Sequence, residues 1–293
     1  MTRPPRISVV VPALNEARNL EEVLPTLPDV HQVVLVDGGS VDGTVEAARR
    51  VLPGIHVVHQ TRKGKGNAVA CGFAAVTGDV VVMFDADGSA DPAEIPAFVA
   101  ALTDGADFAK GSRYLPGGGS TDITRVRDAG NAFLNHRANR LFRTRFTDLC
   151  YGYNAFWSDV VPVLDLPDPG LPAPSGGMLW GDGFEVETLI NCRAAASGLR
   201  ITEVPSQERD RIHGESNLHA VKDGLRVLRT MYAERRDARR REAHGTRRPL
   251  PDRAARPTGF RDERADRGDT ASSATRPPLQ RAGAEAPRSL RAS

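Results

Sequence analysis

Residues 78–94, GDVVVMFDADGSADPAE, decide the fold that the sequence predicts. Five apolar residues at 80–84 form a Val-rich run of strand length between turn residues, which is typical of a strand buried on both faces. Asp85 follows this strand directly, and Asp87 comes two residues later. Ligands of open parallel sheets bind beyond the carboxyl ends of the strands, where two unpaired carboxylates are costly to bury. The simplest partner is a divalent cation carrying phosphate oxygens, and the alternative is a solvated acidic turn.

Strands and helices alternate along the first part of the chain. Short apolar runs at residues 7–11, 33–36, 55–58 and 80–84 are each followed by a turn and a helical pattern. This order predicts an α/β fold with a mostly parallel sheet, helices on its faces and right-handed crossovers. Asp37 ends the second strand, so we expect it on the same sheet edge as Asp85 and Asp87.

Composition divides the chain near residue 235. Residues 235–293 carry 16 arginines and eight acidic residues, a net charge of +8, so the rest of the chain carries −6 of the overall +2. The few apolar residues after position 235 predict a folded domain of residues 1–235 and a disordered, arginine-rich tail of residues 236–293. An acidic domain without a basic and aromatic surface argues against a nucleic-acid partner.

The cysteines indicate a reducing compartment. Cys71, Cys150 and Cys192 are odd in number and far apart, which argues against a disulfide framework and favours the cytoplasm. Residues 1–6 lead directly into a strand, so we expect no signal peptide. No apolar stretch reaches the length of a membrane span, and membrane contact would therefore be peripheral, at the inner face.

Two glycine-rich turns add candidate ligand contacts. Asp37, before the turn at 38–44, can accept hydrogen bonds from a base or a ribose, although the turn also suits a loop shaped by Asp and Gly alone. Residues 63–67, KGKGN, precede a helix whose N–H groups and dipole favour phosphate, and a solvated turn fits this stretch equally well. The P-loop spacing and the GxGxxG spacing are both absent.

Four motifs in order resemble family 2 glycosyltransferases with the GT-A fold. They are VVVPALNE at 9–16, VDGGSVDGT at 36–44, KGKGNA at 63–68 and FDAD at 84–87. GSRY at 111–114 and RIHGES at 211–216 resemble the dolichol-phosphate mannose synthase branch of this family. The resemblance extends over residues 6–232 and implies a Rossmann-like, mostly parallel sheet of the GT-A type.

The resemblance also implies roles for individual residues. Asp85 and Asp87 match the pair that binds Mg²⁺ or Mn²⁺ with the diphosphate of the donor. The substrate-binding candidates are Pro12, Ala13, Glu16 and Asp37 toward the nucleoside, and Lys65, Arg113, Arg211 and Ser216 toward phosphate and acceptor. The catalytic candidates are Asp148, which lies near the reaction centre in this branch, and Asp182, where many members carry a general base.

The implied reaction transfers a sugar, with inversion, from a GDP-mannose or UDP-glucose type donor to a polyprenyl or dolichyl phosphate. Ser89 stands where the branch often has Gln, and Asn217 stands where it has Lys, so other acceptors remain open. A hydroxyl of a saccharide or small metabolite is the alternative, and it requires a general base. A nucleotide-sugar-binding protein without turnover is the third possibility, against which the intact Asp85 and Asp87 argue.

A helix predicted at residues 129–146 offers a route to a lipid acceptor. Its apolar residues Phe133, Leu134, Leu141 and Phe142 have arginines beside them, so the helix can lie in a membrane interface or pack on the sheet. Together with the basic tail, this helix predicts reversible binding to an anionic membrane surface.

Overall fold

Strands of the central sheet come from the whole length of the domain. The computed structural model describes residues 3–121, 123–173, 175, 177–214, 220–246, 248, 250–251 and 253–259. The main strands are β1 Ile7–Ala13, β2 Gln32–Asp37, β3 His56–His59, β4 Val80–Met83, β5 Phe108–Ser112, β7 Asn154–Trp157 and β8 Ile201–Pro205. The short strands β6 Gly119–Ser120 and β9 Gln207–Glu208 pair with each other in a separate two-stranded sheet.

Helices connect most of these strands. In the described residues they are α1 Ala17–Val23, α2 Thr44–Val51, α3 Lys65–Ala74, α4 Ile95–Thr103, α5 Arg125–Phe142, α6 Val161–Leu164, α7 Val186–Ala196 and α8 Ala220–Ala243. No helix in this part of the chain is both long and apolar enough to cross a membrane.

The main sheet has the strand order β3–β2–β1–β4–β7–β5–β8. Every neighbouring pair is parallel except those of β7, which runs antiparallel to both β4 and β5. A mostly parallel sheet flanked by helices confirms the predicted fold class. Strand β7 lies at the end of the aromatic-rich segment 148–156 and is not among the strands that the sequence predicts.

The central strands are fully buried because helices cover both faces of the sheet. Val10, Val36 and Val81 are 0% exposed. Helix α3 lies so close to β1 and β2 that a Cβ on Gly72 would be 2.3 Å from Cγ1 of Val10 and 3.0 Å from Cγ2 of Val36. The Val-rich runs therefore form the centre of the core, as their lack of alternation indicates.

A second apolar cluster packs α5, α7 and α8 together. Its buried members are Leu134, Ala138, Phe142, Phe146, Leu149, Cys192 and Met231. The apolar face of α5 that we predicted for a membrane interface is thus covered by protein at Leu134 and Phe142, whereas Phe133 is 53% exposed. Binding to anionic membranes stays a prediction, but Leu134 and Phe142 are not available for it.

The predicted domain boundary at residue 235 falls inside α8, which continues to Ala243. Glu234 is 4% exposed and accepts a hydrogen bond from Nε of Arg193 at 2.8 Å, and Ala238 is 8% exposed. The helix continues past residue 235 because some of its later side chains are buried. The average composition of residues 236–293 does not reveal these few buried positions. Residues 260–293 of the predicted tail lie outside the described residues.

Candidate active site

Candidate residues from three strands meet at one edge of the sheet. Ala13 at the end of β1 lies opposite Asp37 at the end of β2, and Val10 of β1 lies opposite Met83 at the end of β4. The segment with Asp85 and Asp87 follows β4 at this edge. The parallel register thus brings residues distant in sequence to the side of the sheet where α/β proteins bind ligands.

The loops after β1 and β2 are tied to each other. Asn15 has φ +58°, and its side-chain oxygen accepts a hydrogen bond from the backbone N–H of Val41 at 2.9 Å. The N–H of Glu16 donates to Oγ1 of Thr44 at 3.0 Å, and that of Ala17 donates to Oδ2 of Asp42 at 3.0 Å. Asn15 therefore links the loops after β1 and β2. The result is a fixed position for Glu16 at the rim of the site.

Asp37 is an ionised acceptor held by its own turn. It is 4% exposed, and its carboxylate accepts hydrogen bonds from the N–H groups of Gly39 and Ser40, both at 3.1 Å. Nδ1 of His59 lies 3.3 Å from Oδ2 of Asp37. Burial opposes the charge, but these hydrogen bonds outweigh it and lower the pKa of Asp37. Asp37 lines a cleft of about 400 Å³ together with His59 and Lys63.

Asp85 shares a lysine with a second carboxylate. Nζ of Lys65 lies 2.7 Å from Oδ1 of Asp85 and 2.6 Å from Oε1 of Glu187. Burial raises the pKa of Asp85; the charge of Lys65 opposes this rise, and the charges of Glu187 and Asp87 add to it. Partial burial opposes the charge of Lys65, but the two carboxylates raise its pKa and keep it positively charged. This triad thus places three charged side chains in direct contact at the sheet edge.

Asp87 is paired with the loop that follows β9. Nη2 of Arg211 lies 2.8 Å from Oδ2 of Asp87 and 3.6 Å from Oε1 of Glu16. The hydroxyl of Ser89 donates to Oδ1 of Asp87 at 2.7 Å, so Ser89 orients this carboxylate. Burial opposes the charge of Asp87, but the hydrogen bonds of Ser89 and Arg211 lower its pKa. The N–H of Ile212 also donates to the carbonyl of Asp87 at 3.0 Å, which fixes the loop on the site.

The donor set of this region fits a divalent cation. Four carboxylates, those of Glu16, Asp85, Asp87 and Glu187, face two basic side chains, those of Lys65 and Arg211, which leaves an excess charge of −2. Burial raises the pKa of Glu16, the hydrogen bond of Asn19 and the charge of Arg211 oppose this rise, and the charges of Asp87 and Asp85 add to it. No three His, Cys, Asp or Glu side chains of the described residues are grouped as a complete metal site. An ion held by Asp85 and Asp87 would therefore take its remaining oxygen ligands from a diphosphate and from water.

Protein atoms, and not open space, lie at the start of α3. The N–H groups of Gly66 and Asn67 donate to the carbonyl of Asp182 at 2.7 and 3.1 Å. A Cβ on Gly64 would be 2.1 Å from this carbonyl oxygen, and one on Gly66 would be 1.8 Å from the carbonyl oxygen of Gly181. The glycines of the KGKGN turn thus admit a second backbone. The N–H groups of Gly66 and Asn67 are bound to protein, so they do not offer the predicted phosphate contact. The alternative of a solvated turn is also wrong, because residues 181–182 lie against it.

Asp182, the predicted general base, is engaged in a buried ion pair. Nε and Nη2 of Arg62 donate to its two carboxylate oxygens at 2.7 and 2.9 Å, and both side chains are at most 1% exposed. Nη1 of Arg62 donates to the carbonyls of Asp168 and Leu171 at 3.0 and 2.7 Å. Through Arg62, this ion pair connects Asp182 with the loop at 168–171. The contacts of Asp182 are therefore those of a residue that stabilises the fold.

Asp148, the other catalytic candidate, is also bound by an arginine. It is 0% exposed and accepts hydrogen bonds from Nε and Nη2 of Arg113 at 2.6 and 2.9 Å. Nη1 of Arg113 donates to Glu208 at 2.9 Å, and its guanidinium lies 4.9 Å from the ring centroid of Tyr151. Burial opposes the charge of Asp148, but Arg113 lowers its pKa. The structure therefore joins two predicted residues to each other.

Two residues of this region were not among the sequence candidates. Glu187 lies in the first turn of α7 and contacts Lys65, and Arg62 precedes the KGKGN turn and binds Asp182. Their partners are more than 100 positions away along the chain, so only the fold reveals the contacts. Ser216, a predicted substrate contact, lies outside the described residues.

A mostly parallel sheet with charged side chains at its carboxyl edge defines an α/β protein whose ligand site lies at the ends of the strands. Residues 8–161 match the family described as Glycosyl transferase family 2. The chain belongs to this family, and the protein is therefore a glycosyltransferase.

The chain is similar to enzymes of archaea and bacteria. Glycosyltransferase AglJ of Haloferax volcanii is 30% identical over 239 residues, which cover 79% of this chain and 73% of the relative. Undecaprenyl-phosphate mannosyltransferase of Micrococcus luteus is 34% identical over 223 residues, which cover 73% and 87%. Glucosyl-3-phosphoglycerate synthase from Mycobacterium tuberculosis, crystallised with Mn²⁺, uridine diphosphate and glucosyl-3-phosphoglycerate, has a TM-score of 0.59 at 26% identity, and the match covers 78% of this chain and 80% of that one.

Proposed function

We propose that the protein transfers a hexose, with inversion, from a nucleoside diphosphate sugar of the GDP-mannose or UDP-glucose type to a polyprenyl phosphate. The observation that carries this proposal is the pair of carboxylates at the end of β4, each within 2.8 Å of a basic side chain, with an excess charge of −2 around them. Such a set suits the combination of a divalent cation and a diphosphate, because the cation binds the carboxylates and the diphosphate binds the basic side chains.

The proposed donor lies along the sheet edge with its nucleoside toward Asp37. This carboxylate is ionised and accepts hydrogen bonds from a base or ribose, while Pro12 and Ala13 border the nucleoside. Asp85 and Asp87 would hold Mg²⁺ or Mn²⁺, which supplies positive charge to the leaving diphosphate. Lys65 and Arg211 are the basic side chains that reach the same phosphates. Their charge stabilises the diphosphate as the bond between the anomeric carbon and its oxygen breaks.

The proposed acceptor is a phosphate because it requires no general base. An oxygen of an ionised phosphate attacks the opposite face of the anomeric carbon, and the electron pair of the broken bond leaves with the nucleoside diphosphate. Asp148 and Asp182 are both buried against arginines, so neither predicted carboxylate is positioned to remove a proton. The similarity to an undecaprenyl-phosphate mannosyltransferase supports the same acceptor.

A small phosphorylated metabolite is the second candidate acceptor. The similar structure from Mycobacterium tuberculosis contains glucosyl-3-phosphoglycerate, a sugar joined to such a metabolite. A hydroxyl of this kind needs a proton acceptor, and Glu187 is the partly exposed carboxylate beside Lys65 that would be the first to test.

The direct test is product analysis with purified protein. GDP-mannose, UDP-glucose and related donors are incubated with polyprenyl phosphate, with a short-chain analogue or with phosphoglycerate, in Mg²⁺, Mn²⁺ or chelator, and products are identified by mass spectrometry. We expect a polyprenyl-phosphate hexose that disappears with chelator. Formation of a glycosylated hydroxyl product instead would replace the proposed acceptor.

The matched variants in this assay are Asp85→Asn and Asp104→Asn. Asp85 lies at the sheet edge and Asp104 is exposed at the end of α4. We expect Asp85→Asn to lower transfer by about 10²-fold or more, because the charge stabilisation lost is worth several kcal/mol. Asp104→Asn should match the wild type. Activity of Asp85→Asn within a few-fold of the wild type would contradict the role of this carboxylate.

A further inference from the structure

Lys65 binds the Asp85 carboxylate that would also bind a metal ion. Its Nζ lies 2.7 Å from Oδ1 of Asp85 and 2.6 Å from Oε1 of Glu187, and its side chain is 19% exposed. Lys65 is the first residue of α3, and the adjacent Gly66 donates its N–H to the carbonyl of Asp182 at 2.7 Å. The backbone of Lys65 is therefore fixed, and a change of partner must come from its flexible side chain.

A metal ion and the ammonium group compete for Asp85. Carboxylate oxygens bind Mg²⁺ or Ca²⁺ at about 2.0 to 2.6 Å, and an ammonium group that stays within hydrogen-bond distance of the same carboxylate lies close enough for strong repulsion. Glu187, whose Oε1 lies 2.6 Å from the same Nζ, is not one of the two proposed metal ligands. A lysine displaced from Asp85 thus keeps one carboxylate partner.

We propose that Lys65 is an internal counter-ion of Asp85 that the incoming metal and diphosphate displace, and that Glu187 holds Lys65 in the site while its free N–H groups turn to the diphosphate. This inference rests on the proposed use of a nucleoside diphosphate and a divalent cation. Glu187 is in this scheme a positioning residue, because it acts through Lys65 and not on the reacting atoms.

Asp87 also has a basic counter-ion, because Nη2 of Arg211 lies 2.8 Å from its Oδ2. Each metal ligand is therefore neutralised by a basic side chain that also suits a phosphate. The metal alone must displace these cations without offering them a new partner, whereas a metal with a diphosphate supplies one. The two ligands should consequently bind with positive coupling, each raising the affinity for the other.

Mn²⁺ binding in the absence of nucleotide tests the exchange directly. The fraction of free Mn²⁺ is followed by electron paramagnetic resonance for the wild type, Lys65→Met and Lys222→Met, an exposed lysine of α8 that serves as the matched control. We expect Lys65→Met to bind Mn²⁺ about tenfold more tightly, because one charge-assisted contact no longer has to be broken. UDP and GDP, measured at saturating Mn²⁺, should bind about tenfold more weakly to the same variant.

The same Mn²⁺ titration is carried out on Glu187→Gln and on the double variant Lys65→Met with Glu187→Gln, which completes a double-mutant cycle. Loss of this carboxylate leaves Lys65 to Asp85 alone, so Mn²⁺ should bind several-fold more weakly. Because Glu187 acts through Lys65, the double variant Lys65→Met with Glu187→Gln should bind Mn²⁺ about as tightly as Lys65→Met alone. A merely structural role of the two side chains would weaken Mn²⁺ binding in both single variants. Thermal unfolding of each variant identifies any that fails to fold. The other single variant then still gives the direction of the change in Mn²⁺ affinity.

The exchange is overturned if Lys65→Met binds Mn²⁺ as the wild type does or more weakly, or if Glu187→Gln binds it more tightly. These outcomes are separate from the proposed function. Opposite shifts in Mn²⁺ affinity without turnover of any nucleotide sugar would remove the proposed reaction and keep the exchange. Turnover of a nucleotide sugar by the wild type, together with an unchanged Mn²⁺ affinity in Lys65→Met, would keep the proposed reaction and remove the exchange.

Discussion

Asp182 shows how one buried contact changes the interpretation of a residue. The segment around it, WGDGFE at 180–185, places an acid where a hydroxyl-activating base is expected from the resemblance, but its carboxylate forms two hydrogen bonds with Arg62 at 0% exposure. A base that is held on both oxygens by a guanidinium is poorly placed to accept a proton from substrate. Its removal should therefore act on folding first.

We predict that Asp182→Asn and Arg62→Met each lower the free energy of unfolding by about 3 kcal/mol, because each leaves one member of a buried ion pair without its partner. Replacing both residues by apolar side chains should recover part of this loss. Urea unfolding measures the three variants. For the folded fraction of Asp182→Asn, transfer to a phosphate acceptor should stay within about tenfold of the wild type.

A contrary result would restore the predicted base. If Asp182→Asn kept wild-type stability and nucleotide affinity but lost about 10²-fold or more in turnover, the carboxylate would act in the reaction, and a hydroxyl acceptor would be favoured.

At the scale of elements, the start of α3 depends on glycines that touch another segment. A Cβ on Gly66 would be 1.8 Å from the carbonyl oxygen of Gly181, and a backbone oxygen cannot move aside as a long side chain can. Gly130 in α5 is the matched case, since a Cβ there meets nothing within 4 Å. Both glycines are helical, so helix propensity alone predicts the same effect for both.

We predict opposite signs for Gly66→Ala and Gly130→Ala. Gly130→Ala should raise the free energy of unfolding by about 0.5 to 1 kcal/mol, the usual gain of Ala over Gly inside a helix. Gly66→Ala should lower it by about 2 kcal/mol or more and weaken nucleotide binding, because α3 and Lys65 must shift. Denaturant unfolding and nucleotide titration check both. Stabilisation by Gly66→Ala would show that residues 181–183 do not lie against α3.

The elements that the sequence predicts well are those whose environment is uniform. Strands β1, β2 and β4 are buried on both faces, so their unbroken Val-rich runs identify them and place Asp37 and Asp85 at one edge. Strand β7 is short, antiparallel and preceded by a tyrosine-rich segment. Its place between β4 and β5 follows from the topology of the sheet and not from its own sequence. The contacts of Lys65 with Glu187 and of Arg62 with Asp182 join distant positions, and composition or periodicity carries no signal for them.

At the scale of the whole molecule, the C-terminal part of the chain returns to the sheet. Asp107, before β5, is 0% exposed and accepts hydrogen bonds from Nε of Arg253 at 2.8 Å and from Nη1 of Arg256 at 2.6 Å. Nε and Nη2 of Arg256 also donate to Asp159 at 3.0 and 2.8 Å, and its guanidinium lies 5.3 Å from the ring centroid of Trp157. Residues that composition assigns to a disordered tail thus neutralise a buried carboxylate.

This contact makes the stability depend on pH in a defined direction. Burial opposes the charge of Asp107, but the hydrogen bonds of Arg253, of the Arg200 backbone and of Arg256 outweigh it and set the pKa of this carboxyl well below its usual range. A lowered pKa in the folded state means that the unfolded chain binds more protons at acidic pH. The stabilisation is therefore complete above about pH 4, the usual pKa of Asp, and is lost as the pH falls through the lower folded value.

We predict that a chain ending at residue 246 is less stable than one ending at residue 259 by about 3 kcal/mol at pH 7, because it leaves Asp107 buried with Arg200 as its remaining arginine partner. Arg253→Ala with Arg256→Ala in the longer chain should reproduce this loss. The difference between the two chains should shrink as the pH falls below about 4, where protonation of Asp107 removes the charge that the arginines neutralise. Thermal and urea unfolding between pH 3 and pH 7 measure both effects. Equal stability of the two chains at pH 7, or a difference that does not change with pH, would show that Arg253 and Arg256 do not act through Asp107.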